Sequence, residues 1–325
     1  MTTTMTTFPL FHLPLVAMEH VLSMMNPYEL MDLTKTSSSA KRAVKNFRRT
    51  KPKFRVTLVI STEPRIYIFG NKESWIYSWT TEAAGAQQST FDNTFSIENY
   101  NFIFSNDPIE EFMRVYESIR EVLKCRDPSV AFKLDSYPCQ NKMITDWIRS
   151  QHDSIASIEV RNDGRGFFDD LKYFFNNITV TECVLLIVSG YEDDFQLEFP
   201  TSPSLYIEDA RFIGYEQLLR MKNPRIFLHR HSLTDQETNG FLKSWMACES
   251  HLELEYFNIN VSGPEAMEVI MDLPHEETPD SKAIKKEFSH PKVKNGFDIR
   301  RCDGKVATVC YGNYIDKHRF FMITH

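Results

Sequence analysis

The chain has 325 residues, room for one large domain or about two to three smaller ones. Apolar residues at 42% and charged residues at 25% are ordinary for a folded, water-exposed protein, and 25 phenylalanines supply a sizeable core. The net charge of −7 argues against generic nucleic-acid binding, and no apolar run approaches the roughly 20 residues of a membrane-spanning helix.

Cys125, Cys139, Cys183, Cys248, Cys302 and Cys310 are scattered and form no C-x-x-C pair. That pattern fits reduced thiols in the cytoplasm or nucleus better than a secreted disulfide framework. FPLFHLPLVAM, residues 8–18, has a signal-peptide-like apolar content. The preceding MTTTMTT lacks Lys and Arg, however, and Pro9, His12 and Pro14 interrupt the run.

Leu13-Pro14 predicts an extended entry into a helix, because proline suits a first helical turn. Apolar residues then fall at Leu15, Met18, Val21, Leu22 and Met25, which is helical spacing. Asn26-Pro27-Tyr28-Glu29 predicts a second start, with Asn26 as cap, Pro27 in the first position and Glu29 bonding back. This short helix carries Leu30 and Leu33. Ser37, Ser38 and Ser39 offer caps for a third, whose apolar face is Ala40, Ala43, Val44 and Phe47. Three short helices would thus hold more apolar surface than they can hide among themselves, and so small a core is marginal alone.

In order and spacing, Leu13-Pro14, Val21-Leu22, Met25, Pro27, Glu29-Leu30 and Leu33 resemble an F-box. The resemblance implies that Leu13, Pro14, Leu15, Val21, Leu22, Met25, Pro27, Leu30 and Leu33 dock on the adaptor subunit of an SCF-type ubiquitin ligase, and through it reach a cullin. Many F-boxes also carry Cys and Trp in the third helix; here there is serine and no Trp. The alternative is that the helices pack on the rest of this same chain.

KNFRRTKPKFR, residues 45–55, is basic; it reads as a solvated helix end and linker rather than a nuclear-localisation patch. FRVTLVI, RIYIFG, SWIYSWT and FSIENYNFIFS predict strands, with Trp75, Tyr77 and Trp79 on one face. TTEAAGAQQSTFDN, from Thr80, reads as a mobile loop. Asp107-Pro108 starts a helix with the stripe Ile109, Phe112, Met113, Tyr116 and Leu123, stopped at Asp127-Pro128.

Short apolar alternations follow at Phe132/Leu134, Ile158/Val160, Leu185/Ile187, Leu205/Ile207, Ile226/Leu228 and Leu252/Leu254, spaced 20 to 27 residues apart. Helical segments NKMITDWIRS, FFDDLKYFFNN, YEQLLRM and NGFLKSWMA lie between most of them, the last behind a Thr234-x-x-Glu237 capping box. Strand–helix units at this period predict a leucine-rich-repeat-like solenoid, with a packed α/β domain as the alternative. IASIEVRND approximates L-x-x-L-x-L-x-x-N, with Asp163 in the last place.

PHEETPDSKAIKKEFSHP, residues 274–291, reads as a flexible surface segment. Asp303-Gly304 predicts a type I′ hairpin turn within a three-stranded antiparallel end, with Cys302 and Cys310 as strand residues. CVLLIV through FLKSWMA to LELEYF, then DIRRCDGKVATV and FFMI, resemble the type 2 F-box-associated domain of the nematode F-box families. That resemblance implies a domain that presents a target protein.

The predicted class is α+β: an F-box at 7–50 and an associated domain at 51–325. Within the latter fall a β-rich segment (54–105), strand–helix repeats (106–273) and antiparallel strands (296–325). No catalytic motif stands out, and neither cofactor nor metal is expected. Asp163-Gly164-Arg165-Gly166 reads as a tight turn rather than a phosphate cradle. His229 and His231 would share a side if extended, but lack a third ligand at suitable spacing. The reading is a catalytically silent substrate receptor; the alternatives are an interaction scaffold with internally packed helices, or an enzyme with a pocket that no motif marks.

Overall fold

The structure, a computed structural model, describes residues 10–50, 54–82, 88–92, 97–164, 166–191, 195–278, 292–314 and 317–325. It mixes helix and strand, with helices at the N-terminus and a large sheet, and divides into two compact units, Met1–Ala131 and Phe132–His325.

In the first unit a 3-10 turn at Leu10–His12 leads into α1 (Leu15–Met24), α2 (Pro27–Thr36) and α3 (Ser38–Thr50). The expected capping box is present. Asn26 accepts from the Glu29 amide at 3.0 Å, and the Glu29 carboxylate accepts from the Asn26 amide at 2.8 Å. The Ser37 hydroxyl accepts from the Ala40 amide at 3.1 Å, and Ala40, Val44 and Phe47 are buried as their spacing requires. The basic run continues α3 to Thr50; residues 51–53 lie outside the described residues.

Strands β1 (Arg55–Ile60), β2 (Arg65–Phe69) and β3 (Glu73–Thr80) form an antiparallel meander. β4 (Gln88–Asp92) pairs antiparallel with β5 (Ile97–Phe104), which runs parallel to β3. Residues 88–92 are therefore a strand and not part of a loop. The backbone of β5 offers a free edge there, and ladder bonds outweigh the polar composition.

Register places Val56, Ile68 and Trp75, then Leu58, Ile66 and Tyr77, on one face. On that face Trp79 meets Phe112 of α4 (Pro108–Leu123), with ring centroids 5.6 Å apart, and Tyr77 meets Tyr28 of α2 at 4.9 Å. The Asp107 side chain caps α4 through the Glu110 amide at 3.1 Å. The helix stops at Leu123, before the expected Asp127-Pro128, because Lys124 takes a left-handed conformation (φ 47°). β6 (Arg126–Lys133) then carries the chain into the second unit.

The second unit alternates strands and helices: α5 (Asn141–Gln151), β7 (Ile155–Asn162), α6 (Phe168–Asn177), β8 (Val180–Val188), β9 (Ser204–Ile207), α7 (Tyr215–Arg220), β10 (Arg225–Leu228), α8 (Asp235–Met246), β11 (Tyr256–Asn260) and α9 (Ala266–Ile270). From β7 to β11 each strand lies beside the next in sequence, all parallel. Two columns of side chains line up across them. Ile158, Val184, Leu205, Ile226 and Phe257 form one; Val160, Leu186, Ile207, Leu228 and Ile259 form the other. Every member is buried.

The last strand of this run falls at Tyr256, beyond the expected Leu252/Leu254. Cys248 (φ 63°) and His251 (φ 52°) keep the intervening segment turning, and only Tyr256-Phe257-Asn258-Ile259 reaches the sheet. In the turn after β7, Asp163 pairs with Lys133 at 2.9 Å, and Asn162 bonds the turn backbone. Its amide donates to the Gly166 carbonyl at 3.0 Å, and its oxygen accepts from the Gly164 amide at 3.2 Å.

β12 (Glu276–Thr278), β13 (Lys292–Arg300), β14 (Val306–Tyr314) and β15 (Lys317–Thr324) complete the sheet as an antiparallel run, with β15 beside β11. Of the segment expected to be flexible, 279–291 lies outside the described residues; 276–278 is strand. The Asp303-Gly304 turn is not type I′. Only Gly304 has positive φ (93°), the Gly304 amide donates to the Arg301 carbonyl at 2.9 Å, and the Arg301 amide donates to the Lys305 carbonyl at 2.8 Å. This is the three-residue loop in which a type I turn ends on a left-handed glycine. It places Cys302 in the turn and leaves Cys310 buried in β14.

The Tyr28 hydroxyl reaches the sheet backbone. It accepts from the Ile76 amide at 2.8 Å, and its proton lies between the carbonyls of Ile76 (2.8 Å) and Asn99 (2.7 Å). Replacing it with hydrogen strands partly buried polar groups, which costs about 1–3 kcal/mol. Tyr28→Phe is therefore expected to lower the urea midpoint of the first unit. An unchanged midpoint would show that the hydroxyl contributes nothing.

Candidate functional site

Two features could hold another polypeptide, one in each unit. The first is α1 with its approaches. Leu22 is completely buried, and Leu30 and Pro27 are buried beside it. Leu13, Met18, Val21, Met25 and Leu33 are half-buried. Pro14 is exposed, and Leu15, Val16 and Met24 are 64%, 80% and 68% exposed. Phe11 is exposed as well.

Burial divides the residues expected to dock on the adaptor. Leu22, Pro27 and Leu30 are covered within the first unit itself. The side left in water includes Phe11, Val16 and Met24, which lie off the helical stripe of Leu15, Met18, Val21, Leu22 and Met25.

The helices are held firmly. Besides Tyr28, Lys41 and Lys45 of α3 pair with Glu121 of α4 at 2.7 and 2.5 Å, and these two ammonium groups lower the Glu121 pKa. All three side chains are partly exposed, so the pairs orient more than they stabilise.

The second feature is a cleft of about 1030 Å³, formed where the chain approaches β9, β10 and β11. Leu197, Leu219 and Met221 line it with apolar surface, and Arg220, Lys222 and Glu249 with charge. His251 also lines it, buried in a left-handed backbone conformation, its ring edge-on to Phe241 at 4.9 Å. Burial pushes the imidazole pKa down to about 4, and the Leu218 carbonyl offsets this only in part. The ring is therefore neutral near pH 7.

The outward face of the parallel strands is mixed, with a short apolar row at its centre between Glu159 and Asn258. Leu185, Tyr206 and Phe227 share one row, half-buried, with Tyr206 and Phe227 stacked at 3.8 Å. The inward columns were legible as alternation; this outward row was not singled out, although Leu185-Leu186-Ile187 and Ile226-Phe227-Leu228 are apolar on both faces.

The two histidines of LHRHSL are not brought to a common point. Arg230 between them is left-handed (φ 47°), which breaks the extended geometry. His229 Nδ1 lies 2.8 Å from a Glu208 carboxylate oxygen, and His231 Nε2 lies 2.6 Å from the Asn260 carbonyl. Among the described residues no group of three His, Cys, Asp or Glu side chains is placed to hold a metal, and no helix is long and apolar enough to cross a membrane.

Residues 10–52 match the family model described as F-box domain, and residues 195–259 match the one described as F-box associated. No curated protein and no solved structure matches the chain. The lining of the cleft falls wholly inside the second match.

His251 gives a pH test of the second unit. Its pKa is about 6.5 unfolded and about 4 folded, so the unfolded chain binds more protons between those values. Stability is present above the unfolded value and falls as pH drops from about 6.5 toward 4. Burial lowers the His229 and His231 pKa values too, with the same sign. His251→Phe is expected to flatten the slope of urea midpoint against pH in this window without abolishing it. An unaltered slope would remove His251 as a contributor.

Proposed function

We propose that this chain, an F-box protein with an F-box-associated domain, is the substrate-recognition subunit of an SCF-type ubiquitin ligase. Residues 7–50 bind the adaptor, and through it a cullin; residues 51–325 hold a target protein. The observation that carries this reading is the exposed apolar side of α1 in a helix trio otherwise well packed. Fully burying one Leu, Val or Met contributes about 1.5–3 kcal/mol, and a few such anchors dominate most interfaces.

Burial divides the expected adaptor-binding residues into two roles. Leu13, Pro14, Leu15, Val21, Met25 and Leu33 touch the adaptor, together with Val16 and Met24. Leu22, Pro27 and Leu30 act from beneath by fixing α1 and α2. The target is held by the second unit, which we read as leucine-rich-repeat-like because its parallel strands stack in sequence order with helices between most of them. The protein supplies effective concentration, and ubiquitin transfer takes place on other subunits. Such a role fits the cytoplasm or nucleus.

A second reading, a non-catalytic interaction scaffold that recruits no ligase, is favoured by Leu22, Leu30, Met31 and Tyr28 packing inside the first unit. One experiment separates the two. The triple variant Leu15→Asp, Val16→Asp, Met24→Asp alters only exposed side chains, so its thermal midpoint should stay near that of the unaltered protein. Adaptor co-purification is expected to fall at least tenfold. Undiminished co-purification by the folded variant would reject this surface, and an unaltered protein that captures no adaptor would favour the scaffold.

A further inference from the structure

Two of the scattered cysteines meet. The sulfurs of Cys248 and Cys302 lie 2.7 Å apart although 54 residues separate them in sequence. Cys248 follows α8, and Cys302 sits in the turn between β13 and β14.

Both sides of this contact are held rigidly. The Cys302 amide donates to the Met246 carbonyl at 2.8 Å, satisfying one of the open carbonyls at the end of α8. Arg301, next to it, is buried. Its guanidinium pairs with the Asp303 carboxylate at 2.7 Å, donates to the Leu252 carbonyl at 2.8 Å, and lies over the Trp245 ring at 5.2 Å. The turn cannot drift from the helix end without breaking these contacts.

The conformation of Cys248 is a separate observation. The Glu249 amide donates to the Ser244 carbonyl at 3.0 Å and the Cys248 amide to the Trp245 carbonyl at 3.1 Å, the two bonds of a Schellman cap. Cys248 therefore occupies the left-handed position (φ 63°) that glycine ordinarily fills at least strain. A side chain is retained there at a conformational cost, and its sulfur points at a second thiol. Cys302 is exposed and Cys248 half-buried, so a small oxidant can reach them.

We propose that Cys248 and Cys302 are a site of reversible oxidation, forming a disulfide that fastens the β13–β14 turn to the end of α8. With a peroxide as oxidant, one thiolate attacks the O–O bond. That sulfur becomes a sulfenic acid, and the oxygen leaves as water after protonation. The second thiol then attacks the sulfenic sulfur, the S–S bond forms, and a second water is expelled. Two thiols and one hydrogen peroxide give one disulfide and two waters; the sulfurs lose the two electrons that the peroxide gains. A dithiol reverses the step. The bond would cross-link part of the region matched as F-box associated to the C-terminal strands, independently of adaptor docking.

The test uses the full chain, reduced and then treated with hydrogen peroxide. Because the Cys248 thiol raises the pKa of Cys302, the reaction is run near pH 8.5, about the ordinary thiol value. Expected are a mass loss of about 2 Da, for two hydrogens, a linked peptide containing Cys248 and Cys302 after non-reducing digestion, and a higher thermal midpoint that dithiothreitol reverses. Cys302→Ser should lose all three. So should Cys248→Gly, which keeps the fold because glycine suits that φ. Alkylation of Cys248 and Cys302 after peroxide to the same extent as exposed Cys139, or separate sulfinic acids in place of the linked peptide, would overturn the proposal.

Discussion

A phenol oxygen lodged against two parallel strands ties the N-terminal helices to the sheet. Tyr28 bonds to the backbone of Ile76 and Asn99, and Leu22 and Leu30 fill the space beneath the same helices. With α2 seated by that contact and α3 paired to α4 through Glu121, α1 packs on α3 with Leu22 turned inward. Its outward residues Leu15, Val16 and Met24 stay exposed, while Leu22 on its inward side is fully buried. A helix trio that would be marginal alone borrows its core from the meander beside it.

The second unit rests on a different constraint. Its parallel strands contribute one residue each to two buried columns, so a one-residue slip anywhere would turn an apolar side chain to the other face. Helices α5 and α6, and again α7, α8 and α9, pack on their neighbours in sequence. Each unit is thereby supported mainly by the ones before and after it. The connections are free to vary, and the cleft beside His251 is built from them.

How much of this was legible depended on the kind of signal. Capping residues declared themselves, since Asn26, Asp107 and Thr234 act through the nearest few residues. Alternation at Ile158/Val160 or Ile226/Leu228 revealed the inward columns, because burial imposes period two. What stayed hidden was set by distant partners. Residues 88–92 became a strand through β5, the last parallel strand shifted to Tyr256 through two left-handed residues, and Leu22 is fully buried within the first unit. The meeting of Cys248 with Cys302 could not be read at all, for no local spacing encodes a contact across 54 residues.

The pairing of β15 with β11 bears on how the protein is made. β11 is complete long before residues 317–324 leave the ribosome, and until then one side of it presents unsatisfied amides and carbonyls. Such an edge invites strangers. The half-built second unit is thus exposed to mispairing throughout synthesis of everything from Val261 onward, a window in which a chaperone would shield it best. The closing strand, Arg-Phe-Phe-Met-Ile, is apolar enough to end that vulnerability in one step.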